Sequence, residues 1–104
     1  MSSFTIHWIG TGNAFNFRRG NTSFTVAGSG KRVLLADCGG TVPLKLLETN
    51  RLAPISDVLI THLHADHVGG LEGLIFFNFY ALGRQFENKL RVHVATDEFA
   101  HRLW

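Results

Sequence analysis

The chain carries a single cysteine, Cys38, among its 104 residues, which excludes an intramolecular disulfide and fits a reducing compartment. No secretory leader is expected, because Met1-Ser2-Ser3-Phe4-Thr5-Ile6-His7 has neither a basic start nor an apolar stretch. Long hydrophobic runs are missing as well. The longest, Leu71 to Leu82, is broken by Glu72, Gly73 and Asn78 and falls far short of the roughly 20 residues a membrane span needs. A cytoplasmic, soluble protein with no membrane partner is the expectation. Strong charge of either sign is absent too: the formal net charge is +2, and the basic residues are scattered apart from Arg18-Arg19 and Lys31-Arg32. Nucleic-acid binders gather their charge into a patch or stripe, so these pairs read first as solvated loop charges and second as phosphate contacts. No internal repeat or low-complexity linker is visible.

What is present is a dense apolar complement. The chain is 45% hydrophobic, with nine Phe and two Trp, which excludes disorder. Its length sets an upper bound of one domain, residues 1–104, large enough to bury a useful core.

Periodicity locates the elements. Phe4 to Ile9 alternates with period two and predicts a strand ending at Gly10, with Phe4, Ile6 and Trp8 on one face and Thr5 and His7 on the other. His7 reads as structural, having no partner at a ligand spacing. Gly10-Thr11-Gly12 reads as a turn, since no helical pattern follows it to make a nucleotide-binding glycine motif. Ser23–Ala27 and Arg32–Ala36 flank Gly28-Ser29-Gly30-Lys31 as a hairpin. Val42–Glu48, with Pro43 near its start, predicts an amphipathic helix that Asn50 to Pro54 ends. Leu71–Leu82 is apolar almost all round and predicts a helix covered on more than one side, with Gly83 as its C-cap. Leu90–Ala95 alternates again, with Leu90, Val92 and Val94 inward, and Thr96 can cap a last helix from Asp97 to Trp104. His93 and His101 are expected to be structural or solvent-facing.

One stretch carries chemistry. Asp57-Val58-Leu59-Ile60-Thr61 is short, apolar and β-branched, as a buried strand should be, and it runs into His62-Leu63-His64-Ala65-Asp66-His67-Val68-Gly69-Gly70. Strand side chains alternate faces, so His62 and His64, two apart where the strand ends, can point the same way. Asp66 and His67 fall in the following turn and can swing toward the same place. Neutral imidazole and carboxylate oxygen suit zinc, manganese or iron. A solvated histidine-rich loop is the bland alternative.

His62-Leu63-His64-Ala65-Asp66-His67 resembles the H-x-H-x-D-H metal motif of the metallo-β-lactamase-fold hydrolases. Trp8 to Ala14 together with Arg19 to Ser23 resembles the opening of their ribonuclease Z and phosphodiesterase-like branch, and Leu34-Leu35-Ala36-Asp37-Cys38-Gly39 resembles the strand-Asp-x-Gly element that follows it. The resemblance implies an α/β fold, the N-terminal half of an αββα sandwich, with a mixed β-sheet and helices on one face. It implies two Zn2+ ions in the complete site, Mn2+ or iron being possible, with His62 and His64 on one and Asp66 and His67 on the other. Asp66 would also be the catalytic carboxylate. Asp37 would orient a ligand imidazole through its spare N–H; by residue type alone it reads equally well as a turn-initiating Asp.

Hydrolysis by metal-activated water, most simply of a phosphodiester in a small molecule or RNA, is the activity this implies. Two ligands per metal are fewer than the three a catalytic zinc usually has, and one sheet with helices on a single face leaves its other face bare. A homo-oligomer, or a missing C-terminal half, is therefore expected to complete the site, and the isolated chain is expected to be inactive. The alternative is a non-catalytic metal-binding or oligomerising half-domain.

Overall fold

The computed structural model describes residues 3–13, 15–16, 18–30, 32–85 and 87–103. Five strands form one mixed sheet in sequence order: β1 (Thr5–Gly10), β2 (Ser23–Ala27), β3 (Val33–Ala36), β4 (Asp57–Leu59) and β5 (Arg91–His93). The first three pair antiparallel and the last three parallel. A short turn suffices between β2 and β3, whereas parallel neighbours need a crossover, usually helical. The first crossover carries α1 (Val42–Glu48). The second carries α2 (Ala65–Val68) and α3 (Leu71–Phe76), and α4 (Asp97–Leu103) follows β5.

Alternation along the strands sorts the two faces. Leu35 and Val58 point into a core with Val42 and Leu46 of α1 and Leu71 and Leu74 of α3; all six are buried. Burying a side chain of this size contributes roughly 1.5–3 kcal/mol, so this cluster holds the helices on the sheet. The opposite face is open. Phe4, Ile6 and Trp8 are 75%, 58% and 55% exposed, and Ile6 and Trp8 pair in register with half-buried Val26 and Phe24. The chain is thus an α/β unit, a mixed sheet with helices on one side, as expected for one half of an αββα sandwich.

The predicted hairpin, α1, the Thr96 cap and Gly83 are found as expected; Phe99 N donates to Thr96 Oγ1 at 3.1 Å, and Gly83 has φ 67°. Lys31 and Trp104, at the edges of the predicted hairpin and last helix, lie outside the described residues. The strand through Thr61 pairs only to Leu59, although Ile60 N still donates to the His93 carbonyl. The expected helix over Leu71–Leu82 changes at Phe77 into a π-helical turn, Phe77–Ala81, where Asn78 sits buried and its Nδ2 donates to the Leu74 carbonyl. It is also not covered all round, since Phe76 and Tyr80 stand out into solvent. Among the described residues, no helix is long and apolar enough to cross a membrane.

Candidate functional site

The site is built where β3 and β4 end side by side. Parallel pairing sets Ala36 against Leu59, so the residues that follow each strand leave the same sheet edge together. Asp37 N donates to the Leu59 carbonyl at 2.8 Å, and the backbone then turns with φ 62°. Asp tolerates this left-handed conformation better than most side chains, and a buried residue held there marks a place where the surroundings dictate the backbone. Those surroundings are hydrogen bonds. Ser23 Oγ donates to the Asp37 carbonyl, Thr61 N to Oδ1 at 2.8 Å, and Thr61 Oγ1 to Oδ2 at 2.7 Å.

The fourth contact reaches the histidine cluster. His67 Nδ1 lies 2.8 Å from Asp37 Oδ2, and an ionised carboxylate has no proton to give, so Nδ1 carries the hydrogen. Asp37 therefore sits where an orienting carboxylate would sit. The clamp is completed by backbone, with Cys38 N donating to the His67 carbonyl and Gly70 N to the Cys38 carbonyl. Gly39 is needed here because a Cβ would collide with the Asp66 carbonyl.

His62, His64 and His67 are brought together: the His62 ring centroid is 3.7 Å from that of His67 and 4.9 Å from that of His64. The His64 carbonyl accepts from His67 N and Val68 N and so starts α2, leaving its ring on the exposed side. Asp66 Oδ2 lies 3.2 Å from His67 Nε2. In donor chemistry the cluster suits a borderline divalent ion, and the Asp37 contact leaves Nε2 as the nitrogen of His67 that faces away from the sheet edge, toward Asp66. In number and convergence it is incomplete: among the described residues, no group of three or more His, Cys, Asp or Glu side chains is arranged to hold one ion. Asp66 would have to leave His67 Nε2 for both to ligate. Cys38 offers no extra donor, since burial, aided by the neighbouring Asp37 charge, pushes its thiol up to about 12.

Two features escaped the sequence reading. Asn21 is buried, and its Oδ1 accepts from Thr41 N and Oγ1 while its backbone N donates to Thr41 Oγ1, tying the loop before β2 to the Gly39–Thr41 turn. Asp57 is buried beneath Arg32, which binds it through Nε and Nη2, and it also meets His93 Nε2 at 2.7 Å and Ser56 Oγ at 2.7 Å. Arg32, read as a solvated loop charge, thus has a buried partner while remaining 61% exposed in its side chain. His93, expected to be structural or solvent-facing, is half exposed and anchored. His101 faces solvent and His7 is half-buried in β1, opposite Thr25.

Comparison with known proteins agrees on the fold. A metallo-β-lactamase-fold protein, YhfI from Bacillus subtilis, superposes with a TM-score of 0.75 at 22% identity, over 94% of this chain and 39% of that one. Human tRNase Z, short form, superposes with a TM-score of 0.63 at 24% identity, over 94% and 48%. Likeness at this identity speaks for the fold alone. Sequence relatives give a different name. A protein of Bacillus phage BSP38, "Anti-Pycsar protein Apyc1", is 43% identical over 79 residues, covering 75% of this chain and 31% of its own length. One of the same name from Paenibacillus sp. (strain J14) is 36% identical, covering 94% and 45%. The chain spans less than half the length of these relatives.

These relatives overturn the expected assignment to a ribonuclease Z-like, metal-dependent phosphodiester hydrolase. The opening glycine turn and the histidine motif belong to a fold shared by many functions, and substrate choice lies in loops outside it. Residues 4–104 match the family model described as "Anti-Pycsar protein Apyc1", and the chain belongs to that family.

Proposed function

We propose that this chain supplies the metal-holding part of a protein that acts as its relatives' name says, against Pycsar. His62, His64, Asp66 and His67 are the donors and Asp37 orients the His67 ring. The observation that carries this reading is the 2.8 Å contact between Asp37 Oδ2 and His67 Nδ1 beside a cluster of imidazoles and a carboxylate. Zn2+ is the favoured ion, with Mn2+ or iron compatible with the same donors. A bound ion would supply Lewis acidity. The chain's own contribution is to keep a proton on His67 Nδ1 and to hold His62 and His67 side by side. On this reading the complete site is catalytic, and Asp66, in contact with a ligand imidazole, is the carboxylate that serves it.

Two protein donors per ion fall short of three, so the complete site takes further donors from additional polypeptide. The relatives are more than twice as long as the stretch matched here, which supports a continuation of the same chain as the source. The same continuation would cover the open sheet face of Phe4, Ile6 and Trp8; a second copy is the competing occupant. The lone buried thiol fits work in a reducing cytoplasm.

The test combines elemental analysis, light scattering and relief of Pycsar in cells, on the wild type and on His64→Ala. Stoichiometric metal and relief that are both lost in His64→Ala support the reading. Relief that persists without metal would overturn it, and metal on a stable dimer would assign the second copy as the source of the missing donors.

A further inference from the structure

The hydroxyl of Thr61 stands between two polar groups that the site reading treats separately. Its Oγ1 is 2.7 Å from Asp37 Oδ2, 2.9 Å from Asp37 Oδ1 and 3.0 Å from His62 Nδ1. A hydroxyl has one hydrogen and two lone pairs, whereas an ionised carboxylate only accepts. The hydrogen therefore goes to Asp37, and what is left for His62 is a lone pair. His62 Nδ1 must then be the donor, with its own lone pair on Nε2.

We propose that Asp37 sets the tautomer of two imidazoles at once, His67 directly and His62 through the Thr61 hydroxyl, which makes Thr61 a positioning residue. The geometry is over-determined at Thr61, because its backbone N also donates to Asp37 Oδ1 at 2.8 Å and so fixes where the side chain starts. Nothing comparable holds His64: among the described residues no hydrogen bond to its ring is found. The relay therefore presents the His62 Nε2 lone pair beside the His67 ring, with ring centroids 3.7 Å apart, while His67 Nε2 faces Asp66 Oδ2 at 3.2 Å and is freed only when that carboxylate moves away. Its consequence for binding rests on the metal-holding reading above, whereas the tautomers themselves do not.

The experiment is a long-range 1H–15N correlation spectrum of uniformly 15N-labelled, metal-free protein at about pH 8, above the ordinary histidine range. His62 and His67 are expected as Nδ1–H and His64 as a mixture. Thr61→Val should release His62 alone, Thr61→Ser should restore it, Asp37→Asn should disturb His67 while its remaining oxygen keeps Thr61 and His62 in place, and Asp37→Ala should disturb both rings. A zinc titration should then show a loss of about 10–100-fold in affinity for Thr61→Val and near-wild-type binding for Thr61→Ser, as removal of groups that orient ligands does. An Nε2–H signal for His62 in the wild type overturns the relay without recourse to any variant, as does a His62 tautomer that Thr61→Val leaves unchanged. Correct tautomers in a full-length protein that takes up no zinc would keep the relay and sink the metal-holding reading instead.

Discussion

Replacing Asp37 by Asn separates the hydrogen bonding at this position from its backbone. Asn tolerates the left-handed conformation as Asp does, so φ 62° adds no new strain. One oxygen remains to accept from Thr61 N and Oγ1, both within reach of Oδ1. The other becomes an amide that donates, and it faces the Nδ1–H of His67, so one charge-assisted hydrogen bond is lost and a donor is set against a donor. Hydrogen bonds to charged groups contribute about 1.5–3 kcal/mol, and the residue is 8% exposed, so little water can stand in. With ~4–8 °C per kcal/mol for a domain near this size, thermal unfolding should move down by roughly 10 °C. Zinc affinity should fall by about 10–100-fold. Asp37→Ala should be worse than Asp37→Asn, by roughly 1–2 kcal/mol more, because it also places an ordinary Cβ residue in the left-handed region. Calorimetry and a zinc titration on the three proteins check this. Unchanged melting and unchanged affinity in Asp37→Asn would refute the argument that this carboxylate organises the site.

The other expectations follow from single contacts. Hydrogen bonding to Arg32, then to His93 and Ser56, holds the Asp57 carboxyl well below the usual carboxylate range. Its folded pKa lies below its unfolded one, so its stabilisation is full above about pH 4 and is lost as pH falls from there toward the folded value. Asp57→Asn should lower stability at pH 7 and flatten its acid dependence, read from denaturant melts at pH 7, 5 and 3. Equal acid dependence in both proteins would assign acid sensitivity elsewhere. Gly39→Ala should cost about 1–3 kcal/mol through collision with the Asp66 backbone, and amide exchange at residues 65–68 should speed up more than in β2. Ile6→Lys, on the open sheet face, should change monomer stability by less than about 0.5 kcal/mol while reducing association in sedimentation, because Ile6 is already half in water.

Much of the scaffold was legible because burial periodicity is a local property of the chain. Alternation over Phe4–Ile9 and Leu90–Ala95, the turn residues at Gly28–Gly30, Pro43 at the start of α1 and Thr96 before α4 each state their element within a few neighbours. The histidine cluster was legible for the same reason, since its members fall within six positions. The helix after Gly70 was only half legible: an apolar run predicts a helix, but the shift at Phe77 to a π-helical turn depends on Asn78 finding the Leu74 carbonyl and Arg84.

The functional family, by contrast, was misread from the motifs, since the histidine stretch and glycine turn are common to the fold and mark no one substrate. Tertiary structure alone decided the rest. Arg32, Asp57 and His93 are 25 and 36 residues apart and meet only because β3, β4 and β5 pair in parallel with Leu34, Asp57 and Arg91 abreast. Thr61 looked like the last residue of a strand, and its position between Asp37 and His62 arises only when two strand ends share an edge. The sequence by itself determined which residues are apolar, where the chain turns and which imidazoles are close along it. Hydrogen bonding between segments decided which nitrogen of His67 is turned to Asp37, because direction is a property of partners brought from elsewhere in the chain.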